Sequence, residues 1–216
     1  MSQQIEALLA GLSPTSSWLP TWLSNEIFEQ RIEPRLDFFR NASACSLSRI
    51  PTSAQWGNGR LASVLCMNDV PLQIHAVGEL QTIIATADLS SEIASTMFRL
   101  ELLRDCDKAS FAAALRKSRG ITAVDIPFHF ECTRIERHTD KIFSDVFDGR
   151  QTPTNAEASE MPSLTLQDLR LGDIVQIQTM LVREHSTPWS GQQQLWWDYT
   201  VKFAPVHVTL LARKTL

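Results

Sequence analysis

Side chains that could recognise a ligand are concentrated near the C-terminal end of the sequence. Trp189, Trp196, Trp197 and Tyr199 fall within eleven positions, with basic side chains close by. Aromatic rings stack on bases and cations neutralise phosphates, so this combination is typical of proteins that bind single-stranded nucleic acids. The residues that the sequence suggests as contacts are Arg183, Trp189, Trp196, Lys202 and Arg213.

Motifs for catalysis or metal binding are missing from the sequence. The five histidines do not pair at i+2 or i+4, and no H-E-x-x-H, H-x-E…C-x-x-C, G-x-S-x-G, Walker or G-x-G-x-x-G pattern occurs. His129 and Glu131 lie next to Cys132, but in a strand the thiol faces away from both. No catalytic residue, metal ligand or cofactor is therefore predicted. The sequence favours a non-catalytic protein, although an enzyme whose site no motif reveals stays open.

Alternation of apolar and polar residues predicts the strands that would position the C-terminal cluster. From Gly172 onward, Val175, Ile177, Thr179 and Leu181 point to one face, and Gln176 and its neighbours point to the other. A second alternating run assigns Trp197, Tyr199, Val201 and Phe203 to the core. Trp196 shares the polar face with Thr200 and Lys202, so it is the ring expected to be exposed. The two runs predict an antiparallel pair joined by a turn-rich segment.

These two runs resemble the closing strands of an OB-fold. The quoted segments are LGDIVQIQTMLVR and WDYTVKFAPVHVTLLA, separated by a polar loop, and they span about 45 of the 216 residues. The resemblance implies a curled or closed β-barrel that binds single-stranded nucleic acid, with Trp196, Lys202 and Arg183 as contacts. The chain departs from the family in being longer and acidic overall.

Patterns in the middle of the chain predict further strands and one helix. Strands are expected at 60–68, 71–78, 80–89, 96–103 and 126–138, with turns at Asn68-Asp69 and at Gly78-Glu79. A helix is expected from Asp107, its N-cap, to Arg119, ended by Gly120. Residues 148–163 read as a long surface loop, mobile at its middle. The predicted fold class is α+β and mainly antiparallel β, a curled sheet or OB-like barrel with one inserted helix and an N-terminal helical arm.

Residues 1–50 are predicted to form that helical arm, with residues 51–216 forming the β-rich globular domain. Ser24 or Asn25 is the expected N-cap of an amphipathic helix, and Trp18 and Trp22 lie one helical turn apart. The arm either packs on the sheet or presents Trp18 and Trp22 to a second subunit. A structural or assembly protein, with a second copy or another protein as partner, is therefore an alternative to nucleic-acid binding. A further alternative is an enzyme with a small-ligand site in a barrel mouth.

Composition is ordinary for a globular protein, with 44% hydrophobic residues, 20% charged residues and a net charge of −4. No window approaches the roughly 18 apolar residues that would span a membrane, so no membrane partner is predicted. The four cysteines are widely spaced, and the N-terminal residues lack a basic n-region. The sequence therefore predicts reduced thiols in an intracellular protein, cytoplasmic or nuclear, that is not secreted.

Overall fold

A computed structural model describes residues 19–40, 43–88, 93–116, 129–137, 143–153, 156–185 and 199–215. The described helices are α1 (Asn25–Ile27), a π-helical turn (Phe28–Ile32), α2 (Glu33–Leu36) and α3 (Asp105–Leu115). Short 3₁₀ turns lie at Leu47–Arg49, Gly59–Leu61, Ala158–Glu160 and Leu166–Asp168. Within these residues, no helix has the length and apolar character that crossing a lipid bilayer would require.

Twelve strands are described, in two sheets. The small sheet contains β3 (Gln55–Trp56), β4 (Leu65–Met67) and β5 (Val70–Pro71). The large sheet contains β1 (Phe39–Arg40), β2 (Ala44–Ser46), β6 (Gln73–Asp88), β7 (Ile93–Leu102), β8 (Phe130–Arg137), β9 (Val146–Asp148), β10 (Ser163–Leu164), β11 (Ile174–His185) and β12 (Tyr199–Ala212). The fold is α+β with a mainly antiparallel, curled sheet, as predicted.

Five strands of the large sheet close on themselves. β6 pairs with β7, β7 with β8, β12 with β11, and β11 with β6, all antiparallel. The ring is completed by a parallel contact between β8 and β12, through Cys132 and Phe203. Numbered along the chain, the strands run 1-2-3-5-4 around the barrel, which is the order of an OB-type Greek-key barrel.

The core of this barrel is filled from the inward faces of its strands and from one helix. Val175, Ile177, Thr179 and Leu181 are fully buried, so the face predicted from alternation is confirmed. Phe111 of α3 lies 5.2 Å from the Phe130 ring and 5.6 Å from the Phe203 ring, between ring centroids. The helix therefore packs its aromatic side chain over the parallel β8–β12 seam.

A second apolar cluster attaches the N-terminal helical segment, residues 25–36, to the outside of the barrel. Ile32 and Leu36 pack with Val77 of β6, Ile174 of β11 and Leu211 of β12. Ser24 caps the segment, accepting a hydrogen bond from Ile27 N at 3.3 Å, as predicted. The segment covers outward-facing apolar side chains that would otherwise meet water.

Several predicted boundaries differ from the structure. The expected turn at Gly78-Glu79 is wrong, because β6 runs uninterrupted through both residues; the turn at Asn68-Asp69 is confirmed, with φ of 52° and 59°. The predicted strand at 60–68 shortens to Leu65–Met67. Asp107 is not the N-cap: α3 begins at Asp105 after Arg104, and the predicted end at Arg119-Gly120 lies outside the described residues.

Candidate functional sites

Arg183 is held between two aromatic rings at the end of β11. Its guanidinium carbon lies 4.9 Å from the Trp56 ring centroid and 4.6 Å from that of Tyr199. Its Nε donates to Ala62 O at 2.8 Å, which fixes the plane of the group. A cation over aromatic faces is attracted by the ring quadrupoles, so the three side chains form one ordered unit. These three side chains, the Arg183 cluster, come from β11, β12 and the small sheet.

Lys202 lies at the same end of β12 as Tyr199 but on the opposite face of the strand pair from Arg183, since its register partner on β11 is Val182. Its ammonium pairs with the exposed carboxylate of Glu184 at 2.6 Å. Arg213 lies eleven residues further on, past the other end of β12, where it donates to Asp168 O at 2.6 Å. Arg183 and Lys202 therefore share one end of the β11–β12 pair but face opposite sides of it, and Arg213 lies beyond the other end.

The predicted tryptophan contacts Trp189 and Trp196 lie outside the described residues, as do Trp197 and Trp18. Residues 186–198, which contain three of them, join His185 to Tyr199, the paired ends of β11 and β12. Trp22 is described and packs against the second apolar cluster on the outside of the barrel.

The outward face of β7 and β8 corresponds to the strand 2–3 face on which OB-folds hold oligonucleotides. Its side chains are a mixture of aliphatic, hydroxyl and charged groups: Ile93 and Ile135 are exposed, and Arg99 pairs with Glu131 at 2.9 Å. The outward-facing residues of β7 and β8 themselves include no Phe, Tyr or Trp, although the half-exposed His129 imidazole just before β8 contacts Glu101 of β7 at 2.8 Å.

A second polar site, the Arg35 pocket, lies on the outer face of β6, β11 and β12. Gln178 of β11 is the register partner of both His75 on β6 and His207 on β12, so three polar side chains stand in a row. A cavity of about 410 Å³ opens in front of them. Its other walls come from the N-terminal helical segment and from residues 156–161. The lining includes Arg35, Phe38, Gln73, Glu157, Met161, Gln176 and Thr209.

Hydrogen bonds order the back of this pocket. Arg35 Nη1 donates to Gln176 Oε1 at 2.7 Å, and the Gln176 amide nitrogen is hydrogen-bonded to His75 Nδ1. The Phe38 ring stacks on the His75 ring, with 4.9 Å between centroids. Burial lowers the pKa of His75 to about 3, with further contributions from His207 and Arg35. Both His75 and Gln176 are thus held in one orientation, with the imidazole neutral.

Sequence reasoning did not find the Arg35 pocket. Arg35, His75 and Gln176 lie far apart along the chain, and only the barrel registers bring them together. Alternation does place Gln176 and Gln178 on the outward face, which was the one available signal. The described residues contain no cluster of three potential metal ligands, and the four cysteines are free thiols.

Comparisons with known proteins add a distant structural likeness. No family model matches the sequence, and no curated protein matches it either. Among solved structures, the chain is similar to gp2.5, a single-stranded DNA binding protein encoded by bacteriophage T7. The two are 13% identical over 67% of this chain and 88% of that chain, with a TM-score of 0.31. A score this low does not establish a common fold, so it says nothing about what this chain binds.

Proposed function

We propose that this protein is a non-catalytic module that binds single-stranded nucleic acid at the end of the barrel where β11 leads into β12. The observation that carries the proposal is the Arg183 cluster, in which one cation is fixed between two half-exposed rings. Single strands are held by stacking on aromatic rings and by cations along the backbone. The cluster presents both kinds of group at one point on the surface.

The chemistry of the two cations supports this assignment. Nε of the Arg183 side chain is hydrogen-bonded to Ala62 O, and in this proposal the two terminal nitrogens donate to phosphate oxygens. Lys202 pairs with a carboxylate that is 60% exposed. Such surface pairs contribute only about 0–1 kcal/mol, so a phosphate can replace the carboxylate at little cost.

Further stacking would come from the segment that joins the two strands. The connection between strands 4 and 5 is one of the loops with which OB-folds hold their ligands. Here that connection, residues 186–198, contains Trp189 and Trp196. In this proposal both rings stack on bases that follow the one at the Arg183 cluster, at about 1–3 kcal/mol per base.

Fluorescence anisotropy with a labelled mixed-sequence oligonucleotide, single- and double-stranded, tests the proposal at low and moderate salt. We expect the single strand to bind more tightly, with affinity falling as salt rises. Lys202→Gln should lower the slope of log K against log salt by about 0.7, the value for one lost phosphate contact. Trp196→Ala should weaken binding about tenfold or more, as loss of a stacked ring does.

Arg170→Gln is the matched control, because Arg170 is exposed, carries the same charge and precedes the start of β11, whereas Arg183 lies near the strand's other end. It should leave affinity close to wild type. Absence of single-strand binding at low salt, where electrostatic attraction is greatest, would contradict the proposal. Equal losses of affinity in Lys202→Gln and Arg170→Gln would also contradict it, because they would indicate non-specific attraction to the net charge of the protein.

A further inference from the structure

Arg35 is a buried cation without a carboxylate partner among the described residues. Its side chain lines the Arg35 pocket, yet the residue is only 5% exposed. Its hydrogen-bond partner is the neutral amide of Gln176, and its Nε is buried without an acceptor in the described residues. A buried charge is costly unless it is paired, so this guanidinium is the kind that an anion would stabilise.

His75 offers a second unpaired donor at the same place. Arg35 donates to Gln176 Oε1, so the amide nitrogen of Gln176 must be the group that faces His75. That nitrogen is a donor, which makes His75 Nδ1 the acceptor. The proton of the neutral ring is then on Nε2, which is buried and has no acceptor among the described residues. The chain of hydrogen bonds therefore fixes the tautomer as well as the ring orientation.

The rest of the pocket suits the remainder of an organic molecule. Phe38, Met161 and several alanines supply apolar wall, while Gln178 and Thr209 supply polar groups. The acidic residue in the lining is Glu157, whose carboxylate caps its own turn by accepting from the Glu160 backbone. The volume of about 410 Å³ lies within the range of about 300–1,000 Å³ that is usual for small-ligand sites.

We propose that the Arg35 pocket binds a small organic anion, whose carboxylate or phosphate oxygens accept hydrogen bonds from Arg35 Nε and His75 Nε2 after a small shift of the two side chains opens these buried atoms to the cavity. The anion neutralises the buried guanidinium and gives both orphan donors an acceptor. The apolar walls enclose the organic part of the ligand. Because the pocket lies on the outer face of β6, β11 and β12 and involves none of the residues of the Arg183 cluster, this proposal stands apart from nucleic-acid binding.

Two-dimensional ¹H–¹⁵N NMR of the labelled full chain can test this with inorganic phosphate and acetate as separate probes. We expect saturable shifts of the Arg35 Nε–H and His75 Nε2–H resonances with at least one probe. The probe that binds more tightly identifies the headgroup. If neither probe shifts these two resonances and phosphate shifts only those of basic surface residues, the proposal is overturned.

Two variants separate binding from folding. His75→Asn keeps an oxygen near the position of Nδ1, which can accept from Gln176, but removes the Nε2 donor. We expect the affinity for the anion to fall about tenfold, which corresponds to about 1.4 kcal/mol of binding free energy. Arg35→Lys keeps the charge but removes the Nε donor, with a similar loss expected. Arg170→Gln is the control and should bind like wild type. If His75→Asn folds and binds both probes unchanged, the assigned site is wrong.

Discussion

Among single residues, His75 determines most clearly how stability responds to pH. Burial, with His207 and Arg35 nearby, lowers the pKa of its imidazole from 6.5 to about 3 in the folded protein. Between these values the unfolded chain binds a proton that the folded protein does not, so stability increases with pH across that window. The contribution of His75 to the free energy of unfolding is therefore complete above pH 6.5 and is lost as the pH falls towards 3. Burial also lowers the pKa of His207, which acts in the same direction.

The first prediction follows from this increase of stability with pH. Lowering the pH from 7 to 5 should reduce the free energy of unfolding of the wild type by about 2 kcal/mol through His75 alone. The His75→Asn variant should lose this part of the pH dependence and keep the rest. Urea denaturation of both proteins at the two pH values measures it. Parallel pH profiles would mean that His75 titrates normally in the folded state.

Glycine and turn residues show where local sequence rules succeed and where they fail. Asn68-Asp69 adopts the positive φ values that such pairs favour, and the turn was predictable from those two residues. Glycine is required at position 78 for a different reason. A Cβ added there would lie 2.5 Å from Glu101 O on β7. The glycine permits close approach of two strands rather than a turn. Nothing in the local sequence distinguishes these two uses of glycine.

At the scale of elements, Arg104 joins the N-terminal region to helix α3. Its guanidinium donates to Asp107 at 2.8 Å, to Asp37 at 2.9 Å and to Leu36 O at 2.5 Å. Asp107 also accepts from the Ser48 backbone, at 3.1 Å. Arg104 and Asp107 are both buried, so the ion pair lies between the elements it connects. This explains why Asp107, which was expected to be the N-cap, is in the interior.

The second prediction compares Arg104 with Arg49, since both contact Asp37. Arg104→Met removes one partner of a buried pair and leaves the Asp107 carboxylate uncompensated, so we expect a loss of about 3–5 kcal/mol in stability. The Arg49 side chain is 58% exposed, and Arg49→Met should cost less than about 1 kcal/mol. Urea denaturation gives both values. A similar cost for the two variants would show that the buried network contributes no more than a surface pair.

At the scale of the whole molecule, the closed barrel could be only partly foreseen. Alternation gave the facing of β11 and β12, because each side chain's direction depends on its own strand. Closure depends on β8 meeting β12 in parallel, through Cys132 and Phe203, which are 71 positions apart in the sequence. The Arg35 pocket has the same origin, since Arg35 and Gln176 are 141 positions apart. Contacts of this range leave no periodic trace in a single sequence.

The third prediction uses the cysteines as reporters of whether the barrel opens as one unit. Cys45 on β2 and Cys132 on β8 belong to the same buried core, and burial raises both thiol pKa values, that of Cys45 to about 12. Cys106 is only half-buried, so iodoacetamide should modify it first under native conditions. Cys45 and Cys132 should become reactive together, at the urea concentration of global unfolding, as mass spectrometry of quenched samples would show. Earlier labelling of Cys132 alone would mean that the β8–β12 seam opens before the rest of the core, and the barrel would then be two cooperative units rather than one.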